Sequence, residues 1–261
     1  MEAFSGHCGL DAGLAGRAAL VTGSSRGIGA AIARALAACG VRVMIHYNRD
    51  EAAAREVLAA LPGTDHGIIQ ADVADPAECR KLVDASLEHL GGLDVVVNNA
   101  GIYEKQPFTM EEYTLWLEAW KRTLDTNLMS AVNITYCILP HMLARGRGKI
   151  INIASRAAFR GETDAPAYAV SKAGMVIFTR CLARALSAGG VYAYGIAPGW
   201  VETAMAREGM ETMRESILAE IPVGRIATPE DVAHVAVFLA SDAADYLTGI
   251  TIDVNGASYL H

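Results

Sequence analysis

The chain has 261 residues, enough for one large domain or two small ones, and an α/β unit of this length is commonly single. Its 22 Lys and Arg against 29 Asp and Glu give a net charge of −7, which argues against nucleic acid or an anionic membrane surface as the main partner. With 52% hydrophobic and 20% charged residues, the chain can fill a core and is too apolar for disorder.

Residues 1–13 are expected to form a loose N-terminal extension, with a single domain over 14–261. Arg17–Thr22 reads as a strand and Ile28–Cys39 as an Ala-rich helix closed by Gly40. Val41–Tyr47 is a second strand, followed by a helix over Asp50–Leu61 with Asp50 as N-cap. Gly67–Ala71 and Leu93–Asn98 are strands around a helix from about Pro76 to Leu90. Lys149–Ala154 and Val191–Ala197 are strands flanking a long helix from about Ala165 to Leu186. Thr228 caps a further helix with Pro229 at its first position, and Ile250–Val254 is the last strand. Continuously apolar strands alternating with helices predict a doubly wound α/β fold of the Rossmann type, its sheet mainly parallel and covered on both faces. In 111–142 the residues Tyr113, Leu117, Trp120, Leu124, Leu128, Val132, Tyr136 and Leu139 recur at helical steps. This stripe reads as a helix face in a core or subunit contact, rather than as a cofactor or partner box.

The five cysteines are odd in number and scattered, with no Cys-x-x-Cys pair, so neither a disulfide framework nor a metal site is expected. The start holds Glu2 and Asp11 without a basic-then-apolar leader, and no run approaches a membrane span. A reduced cytoplasm is the expected compartment.

The 25 glycines should sit at particular backbone positions. Gly23, Gly27 and Gly29 fall in Thr22-Gly-Ser-Ser25-Arg26-Gly-Ile28-Gly, between the first strand and its helix. Bare N–H groups at a helix start and the helix dipole favour phosphate, so this turn is a candidate pyrophosphate site. The spacing is not Gly-x-Gly-x-x-Gly. Asp72-Val73 and Asn98-Asn99-Ala100-Gly101 also follow strands and should open into the same crevice.

The second strand ends Tyr47-Asn48-Arg49 without the acid that commonly binds an NAD ribose; Asp50 and Glu51 come later, where capping explains them. Arg49 and Arg26 could pair with a 2′-phosphate, so NADP(H) is preferred over NAD(H).

Tyr168 and Lys172 share one face of the long helix, and Ser155 follows the preceding strand. A phenol is a poor base at neutral pH, but a nearby ammonium stabilises its phenolate, while a serine hydroxyl can hold a carbonyl oxygen beside it.

Together these motifs resemble the compact, single-domain branch of the short-chain dehydrogenase/reductase family over nearly the whole length. The matching residues are Thr22-Gly23-x-x-x-Gly27-Ile28-Gly29, Asp72, Asn98 to Gly101, Asn127, Ser155, Tyr168-x-x-x-Lys172 and Pro198-Gly199. The resemblance implies a seven-stranded sheet, Tyr168 as proton donor and acceptor, and Ser155 as the substrate-orienting hydroxyl. It implies that Lys172 binds the nicotinamide ribose and lowers the tyrosine pKa, and that Asn127 supports a water-linked proton relay. Asp72 would face the adenine, with Asn99, Ala100, Gly101, Pro198, Gly199, Val201 and Thr203 bordering the cofactor. Gly224-Arg225, Pro229 to Ala233, Phe238 to Asp242 and Leu247-Thr248-Gly249 look like the 3-oxoacyl-acyl-carrier-protein reductases of that family. Two departures stand out: Ala193-Tyr194 where relatives commonly have Val-Asn, and Ala154-Ser155 where they have paired serines. By resemblance the assembly is a homotetramer.

By resemblance the stretch from Trp200 to about Ile226 closes over substrate; its methionines suit an adaptable apolar lid, but an amphipathic helix packed on its own domain has the same pattern. An acidic carrier partner calls for basic residues, and Arg145, Arg147, Lys149, Arg156 and Arg160 are available. Both an acyl thioester and a free small-molecule carbonyl or alcohol therefore stand as substrates. The alternatives are an NAD-dependent sugar or polyol dehydrogenase and, more remotely, a dinucleotide-binding regulator without chemistry. The presence of Asn127, Ser155, Tyr168 and Lys172 together speaks against the regulator.

Overall fold

A computed structural model describes residues 13–261, without the side chains of 207–212. The expected N-terminal extension lies outside the described residues, apart from Gly13.

Seven strands form one parallel sheet in the order β3-β2-β1-β4-β5-β6-β7. They are β1 (Ala18–Val21), β2 (Arg42–Tyr47), β3 (Gly67–Gln70), β4 (Val95–Asn98), β5 (Gly148–Ile153), β6 (Val191–Pro198) and β7 (Thr251–Val254). The principal helices are α1 (Gly27–Ala38), α2 (Glu51–Ala59), α3 (Pro76–Leu90), α4 (Tyr113–Leu124), α5 (Ser130–Arg145), the single turn α6 (Ala157–Arg160), α7 (Pro166–Leu186), α8 (Arg207–Ala219) and α9 (Pro229–Ala240).

The continuous apolar runs become strands buried on both faces in β1, β2, β4, β5 and β6, whereas the edge strands β3 and β7 are only partly buried, and the two-residue period sorts their side chains. Ala19, Val21, Val95, Val97, Ile151 and Ile196 face the layer of α1, α2 and α9. Ala18, Leu20, Val96, Ile150 and Ala193 face α3, α5 and α7. Fully buried Leu36, Leu82 and Ile138 anchor these helices, each contributing about 1.5–3 kcal/mol relative to exposure. Strand order reverses between β1 and β4, so the loops after β1 and β4 open on a common crevice at the carboxyl edge.

Helix starts follow local chemistry. Asp50 caps α2 through Ala53 N–H, Asp75 caps α3 through Ala77 N–H, and Thr228 with Asp231 forms a capping box on α9. The α1 start at Arg26 has no side-chain cap.

The apolar stripe of 111–142 is not one core-facing helix. A five-residue π turn, Asp125–Met129, divides α4 from α5. The core side of α5 is Ile134, Ile138 and Met142, whereas Tyr113, Leu117 and Tyr136 are exposed. Polar and apolar residues alternate too loosely here for the period to show which apolar face turns inward. Among the described residues no helix is long and apolar enough to cross a membrane.

Candidate active site

The glycine turn is held from two sides. Gly23 and Gly27 have left-handed backbones, φ +62° and +55°. A Cβ on Gly23 would approach Ala100 Cα to 2.9 Å, and one on Gly29 would meet the Asn99 amide and the Gly23 carbonyl at 2.5 Å. The Asn99 amide donates to the carbonyls of Thr22 (2.7 Å) and Gly23 (3.1 Å). Thr22 Oγ1 accepts from Asn99 N–H and Ala100 N–H, both at 2.9 Å. The turns after β1 and β4 are thus stitched together, with Thr22 as a partner that the motif reading left unassigned. Thr203 Cγ2 lies 3.3 Å from where a Gly27 Cβ would stand, so the segment after β6 reaches the glycine turn. Ser25 and Ile28 are half-buried beside the exposed Arg26.

The tip of β2 bears out the sequence reading of its acids. Asp50 is the α2 cap and Glu51 pairs with Arg55 at 2.6 Å. Tyr47 is buried, Asn48 and Arg49 are exposed, and neither Arg26 nor Arg49 makes an ion pair among the described residues. Asp72 is exposed and accepts from Ala74 N–H at 3.1 Å, while Val73 is buried in the core.

Asn127 sits in the π turn, a distortion often found at functional sites. Its carboxamide accepts from Ile102 N–H (2.8 Å), donates to Ile102 C=O (3.0 Å) and donates to Ser171 Oγ (3.2 Å). Gly101 lies between this amide and Lys172: a Cβ there would stand 3.3 Å from Asn127 Oδ1 and 3.5 Å from Lys172 Nζ. Asn98 points elsewhere, donating to Asn152 Oδ1 at 2.8 Å in a buried chain that continues to Thr179.

Lys172 and Tyr168 are brought together on α7. Lys172 is buried, donates to the Ile153 carbonyl at 2.8 Å and stands 5.7 Å from the Tyr168 ring centroid. Burial lowers its pKa to about 8. Burial also raises the Tyr168 pKa; a hydrogen bond with Ser155 lowers it, and the nearby Glu162 raises it. Ser155 itself accepts from Ala157 N–H at 3.1 Å at the start of α6. Tyr103 packs edge-on against Tyr168, ring centroids 5.1 Å apart. Tyr103 and Glu162 escaped the sequence reading because both lie in loops without a periodic or spaced signature.

Pro198 ends β6, and its carbonyl accepts from Arg156 N–H at 2.9 Å. A Cβ on Gly199 would come within 2.9 Å of Asn255, and Val201 bridges to Ala227. In the expected lid, Ile217, Ile221 and Ile226 form a small core with Trp200 and Leu218, while Met205 and Met213 are exposed. Met210 lies among the side chains that are not described. Glu220 ties this stretch to the neighbours of Ser155, pairing with Arg160 at 2.8 Å and Arg156 at 3.1 Å.

The five basic residues offered for a carrier partner do not share one face. Arg145 and Arg147 pair with Asp94 (3.1 and 3.0 Å) at the amino ends of β4 and β5, opposite the crevice. Lys149 is buried, bonded to Tyr194 Oη, the Ser241 carbonyl and Asp245. Tyr194, the departure from the family pattern, is therefore a core residue on the far side of the sheet, remote from the substrate crevice. Its burial in place of a smaller side chain is satisfied by a bond from its hydroxyl to the Ala244 carbonyl at 3.1 Å.

The chain matches, over residues 23–257, the family model described as enoyl-(acyl carrier protein) reductase. It is 36% identical over 247 residues to the 3-oxoacyl-[acyl-carrier-protein] reductase FabG of Escherichia coli K12, covering 94% of this chain and 98% of that one. It is 37% identical over 244 residues to the acetoacetyl-CoA reductase of Shinella zoogloeoides, covering 93% and 98%. A candidate gluconate dehydrogenase from Agrobacterium tumefaciens superposes with a TM-score of 0.88 at 34% identity, over 94% of this chain and 96% of that one. A candidate short-chain alcohol dehydrogenase from Sinorhizobium meliloti 1021 gives 0.86 at 36% identity, with the same coverage. The chain belongs to the short-chain dehydrogenase/reductase family and is an oxidoreductase acting on CH–OH groups.

Proposed function

We propose that the protein interconverts a carbonyl and a secondary alcohol with NADP(H), and that its substrate is a 3-oxoacyl thioester. The observation that carries the reaction is the convergence of Ser155, Tyr168 and Lys172 beside Gly101 and Asn127, on the crevice that the glycine turn borders.

The crevice fits a dinucleotide. The uncapped α1 start leaves its N–H groups to a pyrophosphate, and glycine at 23, 27 and 29 lets the turn pack closely on Asn99, Ala100 and Thr203, which keeps those N–H groups at the crevice. Gly23, Ser25, Arg26, Gly27, Ile28 and Gly29 would hold the phosphates, with Tyr47, Asn48, Arg49, Asp72 and Val73 around the adenosine end. Asn99, Ala100, Gly101, Pro198, Gly199, Val201 and Thr203 would border the remainder. The exposed guanidiniums of Arg26 and Arg49, without ion pairs among the described residues, suit a 2′-phosphate. When bound there, a nicotinamide cofactor would supply the hydride for reduction or take it up in oxidation.

In the reductive direction the Tyr168 hydroxyl donates its proton to the carbonyl oxygen, and Ser155 holds that oxygen in place. The ammonium of Lys172 stabilises the phenolate left behind, and its bond to Ile153 fixes its position. Asn127 holds the Ile102 backbone beside Lys172, where a water-linked relay would return the proton. In oxidation the same phenolate acts as base.

The thioester reading is supported by the names of the relatives in Escherichia coli and Shinella zoogloeoides. A second reading, a free ketone, sugar or polyol, is favoured by the scattering of the basic residues and by the pairing of Arg156 and Arg160 with Glu220. The exposed stripe on α4 and α5 supports a homotetramer. The test is a panel of 3-oxoacyl thioesters, simple ketones and sugars assayed with NADPH and NADH. Turnover of a thioester with NADPH is expected, and a cofactor-saturated protein that turns over nothing would remove the reaction.

A further inference from the structure

His46 is an unusual residue for the interior of a parallel sheet. It lies next to last in β2, 1% exposed, and makes four hydrogen bonds around its own position. Its backbone N–H donates to Ser24 Oγ (3.0 Å) and its carbonyl accepts from Ser24 N–H (2.9 Å). Its ring bridges two turns. Nδ1 faces Gly23 N–H at 2.9 Å, and Nε2 faces the Ala71 carbonyl at 3.0 Å.

The partners dictate the protonation state. A backbone N–H can only donate, so Nδ1 must present its lone pair. A carbonyl can only accept, so Nε2 must carry the hydrogen. The ring is therefore neutral with one fixed tautomer. An imidazolium would set a second N–H against Gly23 N–H at 2.9 Å, and the turn would have to move.

We propose that His46 is a positioning residue of the dinucleotide site: its neutral ring sets the glycine turn against the turn after β3, and protonation of that ring lowers dinucleotide affinity. The inference rests on reading the glycine turn as the cofactor site. Gly23 is the first glycine of that turn, and Ala71 immediately precedes Asp72, so a shift of either end moves groups on both sides of the crevice.

The surroundings hold the ring neutral. Burial lowers the pKa of His46 from the ordinary 6.5 and outweighs the bond to Ala71 and the nearby carboxylate of Asp72, which both favour the cation. Besides Asp72, the groups bonded to it among the described residues are backbone and one uncharged hydroxyl, from Gly23 and Ser24 in the turn after β1 and Ala71 at the end of β3. Helix α3, which packs on β2, brings the buried thiol of Cys79, held neutral by a pKa pushed up to about 12. The acidic limb of cofactor binding should accordingly fall below the usual histidine range.

The experiment is titration of the full-length protein with NADPH and NADH, followed by tryptophan fluorescence from about pH 4 to 8, which extends well below the ordinary histidine pKa, alongside 15N NMR of the histidine rings. NADH is included because the 2′-phosphate of NADPH titrates in the same range. Wild type, His46→Asn and His46→Leu are compared. The carboxamide introduced by His46→Asn keeps an acceptor oxygen for Gly23 N–H but does not titrate. H46N should therefore bind within about three-fold of wild type at neutral pH and lose the acidic fall in NADH affinity. H46L should bind both dinucleotides about ten-fold or more weakly, with kcat at saturating cofactor little changed. NMR should report His46 as the Nε2–H tautomer at neutral pH. An acidic fall in NADH affinity that is the same in wild type and H46N, or an Nδ1–H tautomer, overturns the proposal even if H46L fails to fold. Failure of wild type to bind either dinucleotide at any pH overturns the cofactor reading and this inference with it, whereas normal binding without the pH difference overturns the role of His46 alone.

Discussion

Lys172 Nζ stands 5.7 Å from the centre of the Tyr168 ring while donating to the Ile153 carbonyl at 2.8 Å. One turn of α7 sets the separation and β5 supplies the fixed acceptor, so the ammonium is held beside the phenol, with no carboxylate paired to it among the described residues. Burial thus acts on both groups, lowering the pKa of the lysine and raising that of the phenol.

Removing the phenol should remove the chemistry and leave the cofactor crevice intact. Tyr168→Phe is expected to lower kcat by about 10³-fold or more, with dinucleotide affinity within about three-fold of wild type. Steady-state assays paired with a fluorescence titration check both halves; a Tyr168→Phe enzyme at wild-type rate would remove the mechanism.

The buried lysine links activity to stability with opposite signs. Its folded pKa of about 8 lies below the ordinary 10.5, so between these values the unfolded chain binds more protons and stability rises with pH. Below about pH 8 the charged Lys172 carries its full burial cost, on the order of 3 kcal/mol. Lys172→Met should therefore raise Tm at pH 7 by a few degrees while lowering kcat by about 10²-fold and shifting the oxidative pH profile alkaline. A lower Tm in the variant would show that the bond to Ile153 outweighs the desolvation.

The proposed preference for NADP(H) rests on two exposed guanidiniums, Arg26 and Arg49. Arg26→Ala combined with Arg49→Ala should raise the KM for NADPH about ten-fold or more and that for NADH less than about two-fold. Equal effects on the two cofactors would sink the 2′-phosphate assignment.

Glu220 joins the stretch after β6 to residues adjoining Ser155 through Arg156 and Arg160. Because the carboxylate is partly exposed, its loss should cost about 1 kcal/mol or less of stability. Glu220→Gln is expected to raise the KM for the carbonyl substrate several-fold and leave the cofactor KM unchanged. A change confined to the cofactor KM would place this clasp outside the substrate side.

Much of the architecture was legible because it is written in local patterns. The apolar runs 17–22, 41–47 and 149–154 fall on β1, β2 and β5 within a residue or so at each end, since a strand buried on both faces needs an unbroken apolar run. Thr228-Pro229 marked the start of α9 through capping chemistry that involves only four consecutive residues. The four-residue spacing of Tyr168 and Lys172 put them on one helix face, and the backbone required glycine at 23 and 27.

What lies far apart in the chain was settled by folding. Lys149 reads as an available surface cation in sequence, yet the parallel crossovers bring it against Tyr194 and Asp245, and the far side of the sheet buries it. The stripe on α4 and α5 carries a helical period, but period does not say which face turns inward; packing of Ile134, Ile138 and Met142 on the sheet made that choice. His46 sits unmarked within an apolar strand until β1 and β3 place Gly23 and Ala71 on either side of its ring. Short-range periodicity and capping thus specified the elements and the shared helix face of Tyr168 and Lys172, because their energetics lie within a few residues. The partners of Asn99, His46, Lys149 and Glu220 depend on how the sheet orders its strands, and hydrogen bonds across that distance exist only once the crossovers are complete.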